Sequence, residues 1–169
     1  MNTAALQSRP IERAALRAPR IAVVIPCYNE AQSIGKVVRD FAAALPEAEI
    51  YVYDNNSSDR TAEIARAHGA IVRHEARQGK GNVVRRMFAD VEADVYVMVD
   101  GDDTYDAGSA RRLVAELVNK QLDMVTCART SAWERYRRGH RFGNILLTSL
   151  VTTVFGRDTD DLLSGYRAF

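Results

Sequence analysis

Asp100, Asp102 and Asp103 crowd into the stretch Val99-Asp100-Gly101-Asp102-Asp103-Thr104. They follow Val95-Tyr96-Val97-Met98-Val99, five apolar residues that read as a buried strand without alternation. Carboxylates gathered at the end of a buried strand repel one another unless positive charge compensates them, and a divalent cation is the usual partner. A solvated Asp-Gly turn is the plain alternative; the buried strand and the third aspartate tilt the reading towards metal. Asp54 likewise ends an apolar run, Ile50-Tyr51-Val52-Tyr53. A carboxylate there can accept hydrogen bonds from a ribose or a base N–H. Gly79-Lys80-Gly81 lets backbone approach a ligand and adds one cation, which suits a phosphate. It lacks P-loop spacing, and no G-x-G-x-x-G occurs. Arg129, Arg135, Arg137, Arg138 and Arg141 form a dense basic run, read either as a solvated face or as a site for a second phosphate or a membrane surface.

The elements that must position these groups alternate. Strands are expected at Ile21–Ile25 (stopped by Pro26), Ile50–Tyr53, Ala70–Arg73, Val95–Val99 and Leu122–Cys127. Helices are expected from about Ala31 to Leu45, with Ile34, Val37, Val38, Phe41 and Leu45 on one face, from a cap at Ser57, Ser58 or Asp59 to a stop at Gly69, and after a mobile loop at 77–82 as far as about Val91. Further helices are expected at 107–120 and 142–155. Asn55, Asn56, Ser57 and Ser58 read mainly as turn and cap residues. The alternation argues an α/β fold with a mostly parallel, doubly wound sheet. Asp54 and Asp100 then share the carboxyl edge of that sheet, where ligands bind.

Composition sets the outer bounds. Of 169 residues, 47% are hydrophobic and 27% charged, as in an ordinary globular domain. A net charge of +1 gives no support to nucleic-acid binding. Cys27 and Cys127 make no C-x-x-C pair and read as buried free thiols, which fits a reducing cytoplasm. Residues 1–20 carry four arginines against one glutamate, without the apolar core of a signal peptide, and read as a flexible basic arm. Ile145–Phe155 is too short to span a bilayer.

In chain order, Val23-Val24-Ile25-Pro26-Cys27-Tyr28-Asn29-Glu30, Asp54-Asn55-Asn56-Ser57-Ser58-Asp59-Arg60-Thr61, Gly79-Lys80-Gly81-Asn82, Val99-Asp100-Gly101-Asp102-Asp103 and Asp161-Leu162-Leu163-Ser164-Gly165-Tyr166-Arg167 form one ordered set. That set resembles family 2 glycosyltransferases of the GT-A fold, above all the dolichol-phosphate-mannose-synthase-like and polyprenyl-phosphate sugar transferases. The resemblance implies that 21–169 is one glycosyltransferase domain, incomplete at its C-terminal end. It implies an inverting transfer from a nucleotide-diphosphate sugar to a polyprenyl phosphate or a cell-envelope glycan. Pro26, Tyr28 and Glu30 would line the nucleotide pocket, and Asp54 would read the base. Asp100 would lie near the ribose, Asp102 would hold Mg²⁺ or Mn²⁺ on the diphosphate, and Lys80 would approach the nucleotide. Arg129 and Arg141 would meet an acceptor phosphate, and Asp160 or Asp161 would supply a base for a hydroxyl acceptor. A cytoplasmic protein with peripheral contact at the inner face of the membrane follows.

Two features depart from that pattern. Thr104 stands where synthase-like members often carry Gln, and the chain stops soon after Ser164-Gly165-Tyr166-Arg167. An inactive donor-binding remnant is therefore an alternative. A second is a haloacid-dehalogenase-like phosphatase, because Asp100-Gly101-Asp102-Asp103-Thr104 also satisfies D-x-D-x-T, with Asp100 as nucleophile and Asp102 as general acid. That motif normally ends the first strand of its domain, whereas here it ends about the fourth.

Overall fold

The structure, a computed structural model, describes residues 18–127 and 164–169. The basic arm as far as residue 17, the arginine run with Arg129 and Arg141, the helix expected at 142–155, and Asp160 and Asp161 lie outside the described residues. Six strands form one sheet in the order β3-β2-β1-β4-β6-β5. These are β1 (Ile21–Cys27), β2 (Glu49–Asp54), β3 (Ile71–His74), β4 (Val95–Met98), β5 (Val125–Thr126) and β6 (Arg167–Ala168). β1 pairs in parallel with β2 and β4, and β2 with β3, while β6 runs antiparallel to both β4 and β5.

β1 is buried along its whole length because helices cover both faces of the sheet. Ile21, Val23, Ile25 and Cys27 pack with α1 (Ile34–Ala44), Ala65 of α2 (Thr61–Ala67) and Leu113, Val114 and Leu117 of α4 (Ala110–Lys120). Ala22 and Val24 point the other way, onto Val83 and Met87 of α3 (Lys80–Asp90). The expected face of α1 is the one that is buried. Among the described residues no helix is long and apolar enough to cross a membrane.

Several boundaries differ from the sequence expectation. Pro26 does not stop β1; it pairs with Tyr53, and Cys27 pairs with Asp54. The Val24 carbonyl accepts from the Val99 amide, so strand alternation turns the Pro26 nitrogen towards β4 at the point where β4 has ended. No ladder bond is lost. β4 does alternate: Val95, Val97 and Val99 are buried, while Tyr96 and Met98 are half-buried. Lys80, Gly81 and Asn82 open α3 rather than lying in a loop. β5 is far shorter than expected because Gln121 takes a left-handed conformation at the end of α4 and Leu122 N–H caps Leu117 O. Leu122 and Met124 are consequently exposed. β6 was not expected as a strand, since two paired residues leave no periodicity to read.

Phe41 is 1% exposed and meets the edge of Tyr166 at 5.7 Å between ring centroids. It links α1 to the returning β6 segment. Phe41→Ala should cost about 3–5 kcal/mol in urea unfolding, whereas a loss below about 1 kcal/mol would show that this contact does not anchor the segment.

Candidate active site at the carboxyl edge of the sheet

Three loops build the site, and each contains an Asn or Asp in a left-handed conformation: Asn29 after β1, Asn56 after β2 and Asp103 after β4. Short polar side chains tolerate that conformation by bonding locally. The first two loops are stapled together. Asn29 N–H donates to Ser57 Oγ at 2.9 Å, and Ser58 N–H donates to Asn29 Oδ1 at 2.8 Å. Glu30 N–H donates to Thr61 Oγ1 at 2.8 Å, and Ala31 N–H to Asp59 Oδ2 at 3.1 Å. Asp59 also accepts from Thr61 N–H at 2.9 Å, so it caps the first turn of α2 although Arg60 holds the formal cap position. The polar run after β2 thus acts as turn and cap, and also reaches across to fix the loop that carries Glu30.

Asn55, 4% exposed, organises the third wall. Its Nδ2 donates to the carbonyls of Glu75 and Arg77 at 2.7 and 2.8 Å, and its Oδ1 accepts from Gly79 N–H at 2.7 Å. This fixes the start of α3 and hence Lys80, whose ammonium pairs with Asp100 Oδ1. The loop after β4 is held by Ser33 Oγ–H, which donates to the Gly101 carbonyl at 2.7 Å. Gly101 lies so close to Cys27 that a Cβ there would stand 2.6 Å from its Sγ. The sequence marks Asn55 as a turn and cap residue and assigns Ser33 and Thr61 no role. Their side chains bond to partners far along the chain, and no local spacing records that.

The structure brings Glu30, Asp54, Asp100 and Asp102 together around Cys27. Burial pushes the Cys27 thiol well up, and each of those four carboxylates pushes it further. Glu30 is raised too, first by burial and then by the charge of Asp102. Asp54 is almost wholly buried; His74 Nδ1 stands 3.5 Å from its Oδ2, and among the described residues its Oδ1 has no hydrogen-bond partner. A buried acceptor without a donor suits an N–H brought by a ligand. Tyr28 is 53% exposed at the rim, and Pro26 is buried within β1.

Asp102 Oδ1 accepts from Thr104 N–H at 3.2 Å and from Thr104 Oγ–H at 2.7 Å, while among the described residues its Oδ2 makes no hydrogen bond. Asp103 turns away to Lys36, 2.7 Å from its ammonium, so the third aspartate does not add to the metal set as the sequence reading had it. Among the described residues no three His, Cys, Asp or Glu side chains are grouped to hold a cation by themselves. One free carboxylate oxygen at an exposed position fits the way Mg²⁺ is commonly bound, through one or two carboxylates completed by substrate phosphates. A cleft of about 380 Å³ between Glu75, Arg77, Asn82, Arg85, Arg86 and Ala89 includes none of these carboxylates.

The raised Glu30 carboxyl has a consequence for stability. The folded chain holds this proton more tightly than the unfolded chain, whose group titrates near 4.5. Stability from this group is therefore lost as pH rises from about 4.5 through the folded pKa. Glu30→Gln should flatten that part of the melting-temperature profile and stabilise the unliganded protein near neutral pH. Superimposable profiles for the two proteins would remove Glu30 from this role.

The family profile described as "Glycosyl transferase family 2" matches residues 22–165. Protein RfbJ of Shigella flexneri is 56% identical over 123 residues, covering 72% of this chain and 95% of that protein. A dolichyl-phosphate hexose transferase of Haloferax volcanii is 35% identical, with 88% of this chain and 65% of that protein covered. Glucosyl-3-phosphoglycerate synthase of Mycobacterium tuberculosis, in complex with Mn²⁺, uridine diphosphate and phosphoglyceric acid, superposes with a TM-score of 0.71 at 25% identity. That match covers 89% of this chain and 55% of the synthase. The chain thus spans nearly all of one relative, about two thirds of the second and a little over half of the third. Its mixed α/β sheet is that of the GT-A glycosyltransferases, and the chain belongs to glycosyl transferase family 2.

Proposed function

We propose that this chain carries the donor site of an inverting glycosyltransferase, which moves a sugar from a nucleoside-diphosphate sugar to a polyprenyl phosphate or a cell-envelope glycan. The observation that carries this reading is the convergence of Glu30, Asp54, Asp100 and Asp102 at one sheet edge, with Lys80 as the cation on Asp100. Asp54 accepts from the base through its unpartnered Oδ1, and Tyr28 forms the outer rim beside it. Pro26 and Glu30 complete the pocket on the β1 side. Asp100 faces the ribose, and Lys80 leaves Asp100 for the diphosphate when the donor enters. Asp102 would hold Mg²⁺ or Mn²⁺, which would neutralise the charge gathering on the departing diphosphate.

The acceptor is drawn from the relatives. One is a dolichyl-phosphate hexose transferase and another, of Enterobacter, an undecaprenyl-phosphate 4-deoxy-4-formamido-L-arabinose transferase. A lipid-phosphate oxygen is already anionic, so it needs positioning more than deprotonation, the part given to Arg129 and Arg141. A hydroxyl acceptor would need a base, and Asp161 is the candidate. A lipid acceptor places the protein in the cytoplasm, peripherally at the inner face of the membrane. Membership of the family leaves the phosphatase alternative without support.

Melting the chain against UDP-, GDP- and dTDP-sugars, with Mn²⁺ or with chelator, tests the donor site, because a ligand of the native state raises the melting temperature. One nucleotide should give a shift that chelator removes and that Asp102→Asn largely abolishes. Turnover, where present, should fall by about 100-fold or more in Asp102→Asn. Binding without turnover would restrict the chain to donor binding. No shift with any nucleotide, from a cooperatively melting chain, would reject the donor site.

A further inference from the structure

From the packing behind Asp100 we infer that Gly165 and Tyr105 are positioning residues for it. The segment returning through Ser164–Tyr166 forms a rear wall that sets where the Asp100 carboxylate stands. The consequence for nucleotide binding rests on the donor-site reading above; the contact itself does not.

A Cβ on Gly165 would lie 2.2 Å from Asp100 Oδ2, 2.7 Å from Cγ and 3.0 Å from Oδ1. The carboxylate thus lies flat against the Gly165 backbone with no room for a methyl group. Glycine is not needed here for its backbone angles, since the glycines with positive φ among the described residues are Gly69 and Gly79. The requirement is steric and comes from Asp100. On its other side that carboxylate pairs with Lys80, so it stands between a cation and a wall of backbone.

The wall is held at successive residues. Gly165 N–H donates to Tyr105 Oη at 2.6 Å, a buried bond made by the same loop that carries Asp100. Ser164 Oγ–H donates to the Cys127 carbonyl at 2.6 Å, and Cys127 N–H donates to the Tyr166 carbonyl at 3.0 Å. Arg167 Nε–H donates to the Ser164 carbonyl at 2.9 Å. The Tyr105 ring meets Tyr166 edge-on at 5.5 Å, and Tyr166 in turn meets Phe41 of α1. Neither residue is assigned contact with substrate. They act through Asp100, whose carboxylate cannot retreat and cannot be crowded without moving forward.

The test is a double-mutant cycle on the whole chain. Gly165→Ala, Asp100→Ala and the pair are melted without ligand, and UDP, GDP or dTDP binding with Mn²⁺ is measured by calorimetry. Gly165→Ala should lower the melting temperature in the parent and much less in the Asp100→Ala background, where the opposing carboxylate is gone. It should also weaken binding of whichever nucleotide the parent takes by about tenfold or more. Tyr105→Phe, which keeps the ring, should weaken that nucleotide in the same direction, and it serves if Gly165→Ala does not fold. Equal melting losses in both backgrounds would overturn the inference. So would parent-like nucleotide affinity in Gly165→Ala, or in Tyr105→Phe where that variant stands in. If the parent binds none of UDP, GDP and dTDP but the melting cycle shows coupling, the wall stands and the donor-site reading falls.

Discussion

Four carboxylates that share one sheet edge repel one another, and the fold is built to keep them there. Glu30, Asp54, Asp100 and Asp102 all press on the same buried thiol; among the described residues Lys80 pairs with Asp100, and the His74 ring stands near Asp54. Such a cluster is tolerable only because it opens towards solvent and because neutral donors and close packing fix each member. A ligand that brings positive charge or N–H donors into this space lowers that repulsion.

Fixing the cluster falls to residues that touch no ligand in this reading. The side chains of Ser57, Thr61 and Asp59 hold the backbone N–H groups of Asn29, Glu30 and Ala31, and Ser58 N–H holds the Asn29 side chain. Asn55 does the same for the start of α3. The polar run after β2 thus joins three loops at once, which suits it to a site whose geometry must not drift.

Much of this was legible in the chain. The apolar run 21–25, the face Ile34, Val37, Val38, Phe41 and Leu45, and the carboxylates at the ends of β2 and β4 gave the parallel sheet and the edge that carries the site. Local pattern could not give the rest. Pro26 read as a stop because its neighbour's early end was invisible from sequence. Asp103 read as part of the cluster because its left-handed backbone and its pairing with Lys36 depend on α1. Asn55 reads only as a turn and cap residue, and Tyr105 as unremarkable, because their partners lie 20 or more residues away. Gly165 was noticed within a motif, yet its reason, the carboxylate against its Cα, exists only once the strands are assembled.

The placement of β6 bears on how the chain folds. β1, β2, β3 and β4 are joined by single helical crossovers, and β4 passes β3 and β2 to pair with β1. β6 must instead find β4 from beyond α4 and all that follows it, then run opposite to every other strand in the sheet. Closing a loop of that length costs entropy before any pairing repays it, as it does for β4 on β1. Until the segment leading into β6 is in place, the side of Asp100 that faces Gly165 stays open to water. The antiparallel strand is thus what turns a row of aspartates into a shaped pocket.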